Sequence, residues 1–432
     1  MKETGTIAVI GQGYVGLPLA LSFAMNGQNV IGVESNPEIR KNLASGRTLQ
    51  NENWNGKSIE TILKEQLESG RYRLSGDTVA AVREAETICL TVGIPVADGQ
   101  PVLDSFHGAC EQIGKGLQAG SLVLIRSTVI PGTSESYCVP LFEKLSGLKF
   151  GETLFVAYVP ERIAEGSAFE EFRTMPTLIG SSDPQSREKA AEVIRINSRS
   201  EMIFCHSAIE AETSKVLENL QRDTNIAIAQ EFARFAEAAG MNAIDVIRLA
   251  NTHPRVHMME PGPGVGGYCI PNAFYYLAHK ASELGVSLPI MKAARDLNDQ
   301  MPNTIVSKTI ELLAQAGKKP QESRVAVIGL GMKDYSPDDR LSPSVVICEQ
   351  LAASGFEVRA YDPNVAKAYP YKVESIEKAV ENVDALLILN KISKEFRPSE
   401  FFSLLKQPAV ILDTRNLVQE KDLPADAVFW RI

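Results

Sequence analysis

Short apolar runs rich in Val and Ile alternate with amphipathic stretches over the first half of the chain. Such alternation predicts buried strands of a parallel sheet with helices on both faces, out to about residue 195. The first two strands are separated by a helix that we predict over residues 17–26. The strands are predicted over residues 6–10, 29–33, 87–92, 121–125 and 154–159.

The pattern changes at residue 208. From there to residue 239 no Gly or Pro occurs, and apolar residues recur at helical spacing until Gly240 ends the run. Two further helices are predicted over residues 273–284 and 289–298. These segments predict a central helical domain. Its long helix leads us to expect a homodimer, because such a helix often packs against a copy of itself.

A second α/β segment begins after a polar linker at residues 318–323. Its start, Arg324-Val-Ala-Val-Ile-Gly-Leu-Gly331, resembles Thr6-Ile-Ala-Val-Ile-Gly-Gln-Gly13. A helix over 344–354 and strands over 357–361, 385–389 and 409–412 are predicted to follow. The predicted fold is therefore α/β, with two doubly wound parallel-sheet domains (residues 1–200 and 318–432) joined by a central helical domain (residues 201–317).

Composition narrows the function classes. The chain has 432 residues, enough for two or three domains, and its net charge of −9 argues against a nucleic-acid-binding protein. The six cysteines are scattered, without a CxxC pair or zinc spacing, which predicts free thiols and no metal site. We recognise no signal peptide and no apolar run of membrane-spanning length, so we expect a cytoplasmic protein without membrane contact.

A glycine motif follows the first strand. Gly11, Gly13 and Gly16 form GxGxxG between a strand and a helix, and Glu34 ends the next strand. The glycines permit a tight turn and a close approach of a pyrophosphate to the helix N-terminus. The carboxylate of Glu34 suits the ribose hydroxyls and repels a 2′-phosphate, so the first domain is predicted to be Rossmann-like and to bind NAD. Because the segment at residues 324–331 resembles the start of the first domain, the last domain is predicted to be Rossmann-like as well.

The second copy of this segment departs from the motif. Asp334 stands where the first copy has Gly16. We therefore expect the last domain to bind something other than a dinucleotide, or nothing.

A cysteine stands directly after a run of glycines in the segment Pro261-Gly-Pro-Gly-Val-Gly-Gly-Tyr-Cys269. A thiol beside accessible backbone is suited to be a covalent nucleophile. The alternative is a Gly/Pro turn with an inert structural cysteine.

Three polar residues share one face of the long predicted helix, namely Lys215, Asn219 and Arg222. A lysine and an amide together suit an oxyanion, and a lysine with a lowered pKa suits a general base. The alternative is a solvated face on which Lys215 pairs with Glu212 or Glu218.

Further candidates follow predicted strands or flank the glycine run. Thr128 and Glu161 come after strands and are predicted to face a nicotinamide pocket, although ordinary turns explain them equally well. His253 and Arg255 suit an anionic or polyhydroxyl ligand. Lys333 and Arg340 suit a phosphate, or belong to a plain polar loop.

The chain resembles the UDP-glucose/GDP-mannose dehydrogenase family over essentially its whole length, and most of all the UDP-N-acetyl-D-mannosamine dehydrogenase branch. The resemblance is carried, in order, by Gly11-Gln-Gly-Tyr-Val-Gly-Leu-Pro18, Ser127-Thr-Val-Ile-Pro-Gly-Thr133, Pro160-Glu-Arg162, Glu212-x-x-Lys215-x-x-x-Asn219, His253-Pro-Arg-Val256, Gly264-Val-Gly-Gly-Tyr-Cys269, Ala294-Arg-Asp-Leu-Asn-Asp299, Lys333 and Asp338-Asp-Arg340.

The resemblance implies a four-electron oxidation of a sugar CH2OH to a carboxylate with two NAD and one water. It assigns Cys269 as the nucleophile, Lys215 as acid/base, Asn219 as oxyanion donor, and Glu161 and Thr128 as orienters of water. The implied cofactor-binding residues are Gly11, Gly13, Tyr14, Val15, Gly16, Glu34, Arg40, Thr128 and Arg340. The implied residues for the UDP-sugar substrate are Arg162, Ile163, Lys215, Asn219, Arg222, His253, Arg255, Gly266 and Lys333.

Three positions depart from the family pattern. Tyr268 replaces a His or Ser, and Ile94-Pro95 replaces Thr-Pro. Ala273 replaces the Asp that usually stands four residues after the cysteine and assists the water. The open alternatives are therefore oxidation of UDP-N-acetylglucosamine or UDP-glucose, an enzyme that stops at the aldehyde, and a homologue that binds without turnover.

Overall fold

The computed structural model describes residues 5–319 and 322–432. It falls into two compact units: Met1–Glu218 with Tyr275–Val286, and Asn219–Phe274 with Ser287–Ile432. Two residues of the predicted linker, 320 and 321, lie outside the described residues.

Strands and helices alternate in the first unit, as the apolar runs predict. Its strands are β1 (Ile7–Ile10), β2 (Val30–Val33), β3 (Asn53–Trp54), β4 (Lys57–Ser58), β5 (Tyr72–Ser75), β6 (Thr87–Leu90), β7 (Val96–Ala97), β8 (Gln100–Pro101), β9 (Leu122–Ile125), β10 (Phe155–Tyr158), β11 (Thr177–Gly180) and β12 (Met202–Cys205). Its helices are α1 (Gly16–Met25), α2 (Pro37–Ala44), α3 (Ile59–Glu68), α4 (Thr78–Glu84), α5 (Asp104–Gly116), α6 (Val139–Ser146), α7 (Ala168–Thr174) and α8 (Pro184–Asn197), with a π-helical turn at Ser134–Cys138.

Eight of these strands form one sheet, in the order β12-β11-β10-β9-β6-β1-β2-β5. All neighbours are parallel except β10 and β11, which run antiparallel. Alternate residues of the strands, such as Ile7 and Val9, pack with α1, α3, α7 and α8, while α4 contacts β1 and β2. The strand order reverses at β1 and β6, and the carboxyl ends there are where such sheets bind ligands.

The second unit holds a smaller, fully parallel sheet in the order β14-β13-β15-β16-β17. Long helices precede it, and two apolar clusters cover its two faces. The remaining elements of the chain are α9 (Ala208–Ala238), α10 (Ala243–Ala250), α11 (Cys269–Glu283), α12 (Pro289–Gln315), β13 (Arg324–Ile328), α13 (Pro343–Ala353), β14 (Glu357–Tyr361), α14 (Ile376–Val380), β15 (Ala385–Ile388), β16 (Val410–Asp413) and β17 (Val428–Arg431).

Two helices are longer than predicted. Helix α11 begins at Cys269 rather than at residue 273, because Pro271 lies in the first turn, where a missing N–H has no partner within the helix to lose. Helix α12 continues past Pro302 to Gln315, since buried Ile305 and Leu313 extend its apolar face into the second sheet. The doubly wound fold with a helical centre is otherwise confirmed. Among the described residues, no helix combines the length and the apolar character needed to cross a bilayer.

A buried ion pair fastens α9 to α12. Arg295 Nη1 donates to Asp223 Oδ1 at 2.8 Å, and each side chain is 1 % exposed. The amide of Asn298 donates to the same carboxylate oxygen at 2.8 Å. Burial raises the pKa of Asp223, whereas Arg295 and Asn298 oppose that rise by stabilising the charged form.

We expect Asp223→Ala to destabilise the protein by about 3–5 kcal/mol, because it leaves the charge of Arg295 buried without its main partner. Asp296→Ala on the same helix removes an exposed pair with Lys292 and should cost about 1 kcal/mol or less. Urea unfolding of both variants measures the difference, and equal costs would contradict the importance of the buried pair.

Candidate functional site

The turn after β1 is shaped for close approach of a ligand. Gly11 has φ +93°, and a Cβ on Gly16 would lie 1.8 Å from the Gly11 carbonyl oxygen, so both positions require glycine. A Cβ on Gly13 would meet nothing within 4 Å. The turn thus packs tightly against α1 while Gly13 opens to solvent, and half-buried Tyr14 and Val15 complete it.

An acidic group stands beside this turn. Glu34 Oε2 accepts from Gln12 N at 3.1 Å and Oε1 from Asn36 N at 2.9 Å, while Arg40 donates to the Glu34 carbonyl oxygen at 2.6 Å. Within the described residues, no side chain caps the N-terminus of α1. A helix N-terminus without a side-chain cap, for a pyrophosphate, and a fixed carboxylate, for a ribose, fit a dinucleotide.

A charged pair joins the ends of two neighbouring strands in the first unit. Arg126, directly after β9, bonds to Oε2 of Glu161, which lies three residues beyond the end of β10. The other carboxylate oxygen accepts from the backbone N–H groups of Arg162 at 2.8 Å and Ile163 at 3.1 Å. Sequence reasoning singled out Glu161 but missed Arg126, whose position directly after a strand was the available signal. Thr128, two residues on, is half-buried.

The two side chains that follow Glu161 make contacts within the protein. Arg162 pairs with Glu218 at 2.8 Å and donates to the Pro176 carbonyl oxygen at 2.9 Å. Ile163 packs against the apolar core of the first sheet. A cavity of about 30 Å³ lies here, lined in part by Arg126, Glu161 and Arg162.

Lys215 lies on α9 in the first unit and is 9 % exposed. The two acids expected as its alternative partners are engaged elsewhere: Glu212 accepts from the backbone N–H groups of Gly132 and Ser134, and Glu218 pairs with Arg162. Burial raises the pKa of Glu212. Within the described residues no salt bridge involves Lys215, so the interpretation of a plain surface ion pair is wrong.

Side-chain amides from α9 hold the glycine run in the second unit. Asn219 Nδ2 donates to the Cys269 carbonyl oxygen at 3.1 Å. Gln230 bonds to both backbone groups of Gly262, at 2.9 and 3.2 Å. Cys269 itself is exposed and is the first residue of α11, so the buried structural cysteine is not what the structure shows.

The glycine run packs on the loop between β13 and α13. A Cβ on Gly266 would lie 2.8 Å from the Leu341 carbonyl oxygen, and Gly267 N donates to the Arg340 carbonyl oxygen at 3.0 Å. The Arg340 guanidinium lies 5.1 Å from the centre of the Tyr268 ring and pairs with buried Asp338. The structure thus brings Gly266 and Arg340 together, and exposed Lys333 stands in the same loop.

The remaining cationic candidates lie in the open. Arg222, His253 and Arg255 are all exposed in the second unit, and His253 Nδ1 accepts from Arg255 N at 3.3 Å. Asn225 fixes the following segment by bonding to the backbone of residues 257 and 259.

The turn after β13 differs from its counterpart in the first unit. Asp334, at the place of the third glycine, pairs with Arg415 at 3.1 Å. Asp362 Oδ2 accepts from the N–H groups of Leu330 at 2.8 Å and Gly331 at 3.1 Å. One carboxylate therefore satisfies two backbone donors of this turn, as Glu34 satisfies Gln12 N in the first, and the difference lies in Asp334 and in α13, which begins only at Pro343.

No group of three metal-ligating side chains comes together in the part of the chain that the structure describes. Ala273 is fully buried beside Asn272, which is 4 % exposed.

Comparison with known proteins gives a consistent picture. Three models of the UDP-glucose/GDP-mannose dehydrogenase family match: the NAD binding domain over residues 5–197, the central domain over 209–300 and the UDP binding domain over 326–420. A UDP-N-acetyl-D-mannosamine dehydrogenase from Pyrococcus horikoshii is 36 % identical over 418 residues, which cover 96 % of each chain. A UDP-N-acetyl-D-glucosamine 6-dehydrogenase from Pseudomonas aeruginosa is 33 % identical over 83 % of each chain.

Among solved structures, the UDP-N-acetyl-D-mannosamine dehydrogenase of Pyrococcus horikoshii superposes with a TM-score of 0.91, at 33 % identity and with 99 % of both chains covered. The agreement extends over both α/β parts and the helices between them.

We expect NAD to be preferred over NADP by at least about tenfold in kcat/KM, because the Glu34 carboxylate repels a 2′-phosphate. Glu34→Gln keeps the acceptor but removes the charge and should narrow that preference. Glu38→Gln, an exposed acid in the first turn of α2, is the control and should leave it unchanged. Initial rates measured with NAD and with NADP give this preference for each variant. An unaltered preference for NAD in Glu34→Gln would contradict the assignment of Glu34 to the ribose.

Proposed function

The chain belongs to the UDP-glucose/GDP-mannose dehydrogenase family, and on that premise we propose that it is an NAD-dependent UDP-hexosamine 6-dehydrogenase. The proposed substrate is UDP-N-acetylmannosamine and the product its uronate, as the name of the relative with 36 % identity suggests. The observation that carries the proposal is an exposed Cys269 at the start of α11, in a glycine run held by α9. We also propose the division of the chain at residues 200 and 317; in support, the matched segments 5–197, 209–300 and 326–420 follow one another in this order.

The proposed reaction converts one CH2OH, two NAD+ and one water into a carboxylate, two NADH and three protons. When bound, NAD would supply the hydride acceptor for each of the two oxidations. The glycines of the first turn, with Tyr14 and Val15, would hold the pyrophosphate, and Glu34 and Arg40 would flank the adenosine ribose.

Cys269 would act between the two oxidations. Its thiolate attacks the aldehyde carbon to give a thiohemiacetal, which loses a hydride to become a thioester. The thioester keeps the carbon activated, and the covalent link prevents loss of the aldehyde. An N-terminal position on α11 suits this chemistry, because helix N-termini favour nearby negative charge on an oxyanion.

Lys215 would serve as acid/base for the hydroxyl, and Asn219 would stabilise the oxyanion. In support, Lys215 is buried and neither nearby acid neutralises it, while Asn219 already reaches the Cys269 backbone. Glu161 and Thr128 would orient the water that hydrolyses the thioester.

Ligand-binding roles are proposed for the remaining candidates. Arg340 would contact the cofactor, and Lys333 in the same loop would reach the nucleotide side of the substrate. The other residues proposed to hold the sugar and diphosphate are Arg162, Ile163, Arg222, His253, Arg255 and Gly266.

Two observations favour alternative functions, one for the reaction and one for the sugar. Ala273 is fully buried where the family usually has a carboxylate, which favours an enzyme that stops at the aldehyde. The 33 % identity to a UDP-N-acetyl-D-glucosamine 6-dehydrogenase favours that sugar as the alternative, with UDP-glucose third.

Counting NADH per sugar consumed separates these functions. We expect two NADH and a uronate with UDP-N-acetylmannosamine, and lower kcat/KM with UDP-N-acetylglucosamine and UDP-glucose. One NADH per sugar with an aldehyde that hydrazine traps would replace the four-electron function by the aldehyde-forming one. No NADH from any of the three sugars would remove the enzymatic proposal.

A homodimer through α9 is also proposed, because several large apolar side chains of this helix stay exposed: Leu217, Ile228 and Phe235, at 50, 55 and 61 %. Phe235→Glu should shift the sedimentation coefficient from that of a dimer towards that of a monomer. Leu49→Glu, at a 91 % exposed position outside α9, should not. A wild-type protein that sediments as a monomer at micromolar concentration would refute the proposal.

A further inference from the structure

The Arg126–Glu161 pair is the most deeply buried ion pair at the strand ends of the first unit. Arg126 is 5 % and Glu161 9 % exposed. Strands β9 and β10 are parallel neighbours, and Ile125 pairs with Tyr158, so the two residues leave adjacent strands at the same edge of the sheet. Because the strands are buried and paired, both backbone positions are fixed.

The hydrogen bonds of Glu161 use three of its four acceptor positions. Each carboxylate oxygen accepts about two hydrogen bonds. Oε1 receives both backbone N–H groups, from Arg162 and Ile163, and is filled. Oε2 receives Arg126 and therefore has one position left.

A small internal cavity next to this pair has room for water. The cavity of about 30 Å³ is lined by Arg126, Glu161 and Asn197, and it is large enough for one water molecule. Arg126 Nε and Asn197 Nδ2 are buried donors that lack a hydrogen-bond partner among the described residues. A water there would satisfy these two donors and leave the remaining position of Glu161 Oε2 open.

We propose that Arg126 is a positioning residue for thioester hydrolysis: by occupying one lone pair of Glu161 Oε2, it directs the remaining one at the attacking water. This rests on the proposed function. In the step concerned, the water oxygen bonds to the acyl carbon, the C–S bond breaks, Cys269 leaves as thiolate, and the protons of the water pass to Glu161 and then to solvent. Because Ala273 replaces the Asp that usually assists the water, activation of the water depends more strongly on Glu161.

The proposal separates hydrolysis from the earlier steps, and transient kinetics measures them separately. In Arg126→Gln, we expect the first turnover still to release two NADH per active site at near the wild-type rate. The steady-state turnover rate should then fall by about 30-fold or more. This is comparable to the loss of rate expected when a general base is poorly placed. Arg126→Lys keeps the charge but loses the planar fork, so its steady-state turnover should still be slower than that of the wild type, but by less than about tenfold.

Two controls guard the interpretation. Arg187→Lys alters another partly buried arginine of the same unit, which donates to backbone carbonyls, and should leave both phases unchanged. Thermal unfolding and NAD titration show whether each variant is folded, and Arg126→Lys carries the test alone if Arg126→Gln does not fold.

A burst of two NADH followed by slow turnover in the Arg126 variants supports the proposal. Equal slowing of both phases, or no slowing in folded Arg126→Lys, overturns it. A wild-type enzyme that releases only one NADH per sugar instead refutes the proposed four-electron function, which is a different result.

Discussion

The glycine run before Cys269 depends on one constraint: its backbone lies between two surfaces and leaves no room for side chains. Side-chain amides of Asn219 and Gln230 hold it from α9. On the other side, a Cβ at Gly266 would collide with the backbone of the loop after β13. This packing fixes where α11 starts and therefore where the thiol stands. It also joins the loop after β13 to the cysteine loop, although some 70 residues separate them in the chain.

Charge is arranged differently in the two turns that follow β1 and β13. In the first, N–H groups at the start of α1 stay free of side-chain caps, and a single acid borders them. In the second, Asp362 accepts from the backbone of Leu330, as Glu34 accepts from the equivalent Gln12 in the first, but Asp334 replaces the third glycine and pairs with Arg415. The same supersecondary unit thus keeps the third glycine in the copy that matches an NAD binding domain and replaces it with a paired acid in the copy that matches a UDP binding domain.

Much of the fold was predictable because apolar runs and glycine turns are local signals. Strands such as β1 and β6 and the 31-residue helix α9 were found within one or two residues. The start of α11 at Cys269 and the extension of α12 past Pro302 were not, because each depends on tertiary packing. At the site, Cys269 and Lys215 were recognisable from motifs. Arg126 was not, since its significance comes from a carboxylate 35 residues away on the neighbouring strand end.

The central claim is that Cys269 carries the substrate carbon between two oxidations. Mass spectrometry of the enzyme quenched in acid during turnover, with UDP-N-acetylmannosamine and NAD present, tests it most directly. The account predicts a peptide containing Cys269 that carries the mass of the uronoyl nucleotide sugar, absent from Cys269→Ser. If the Cys269 peptide stayed unmodified even in the Arg126→Gln variant, in which thioester hydrolysis is expected to be slow, the claim would be contradicted. An adduct on another of the six cysteines would also contradict it.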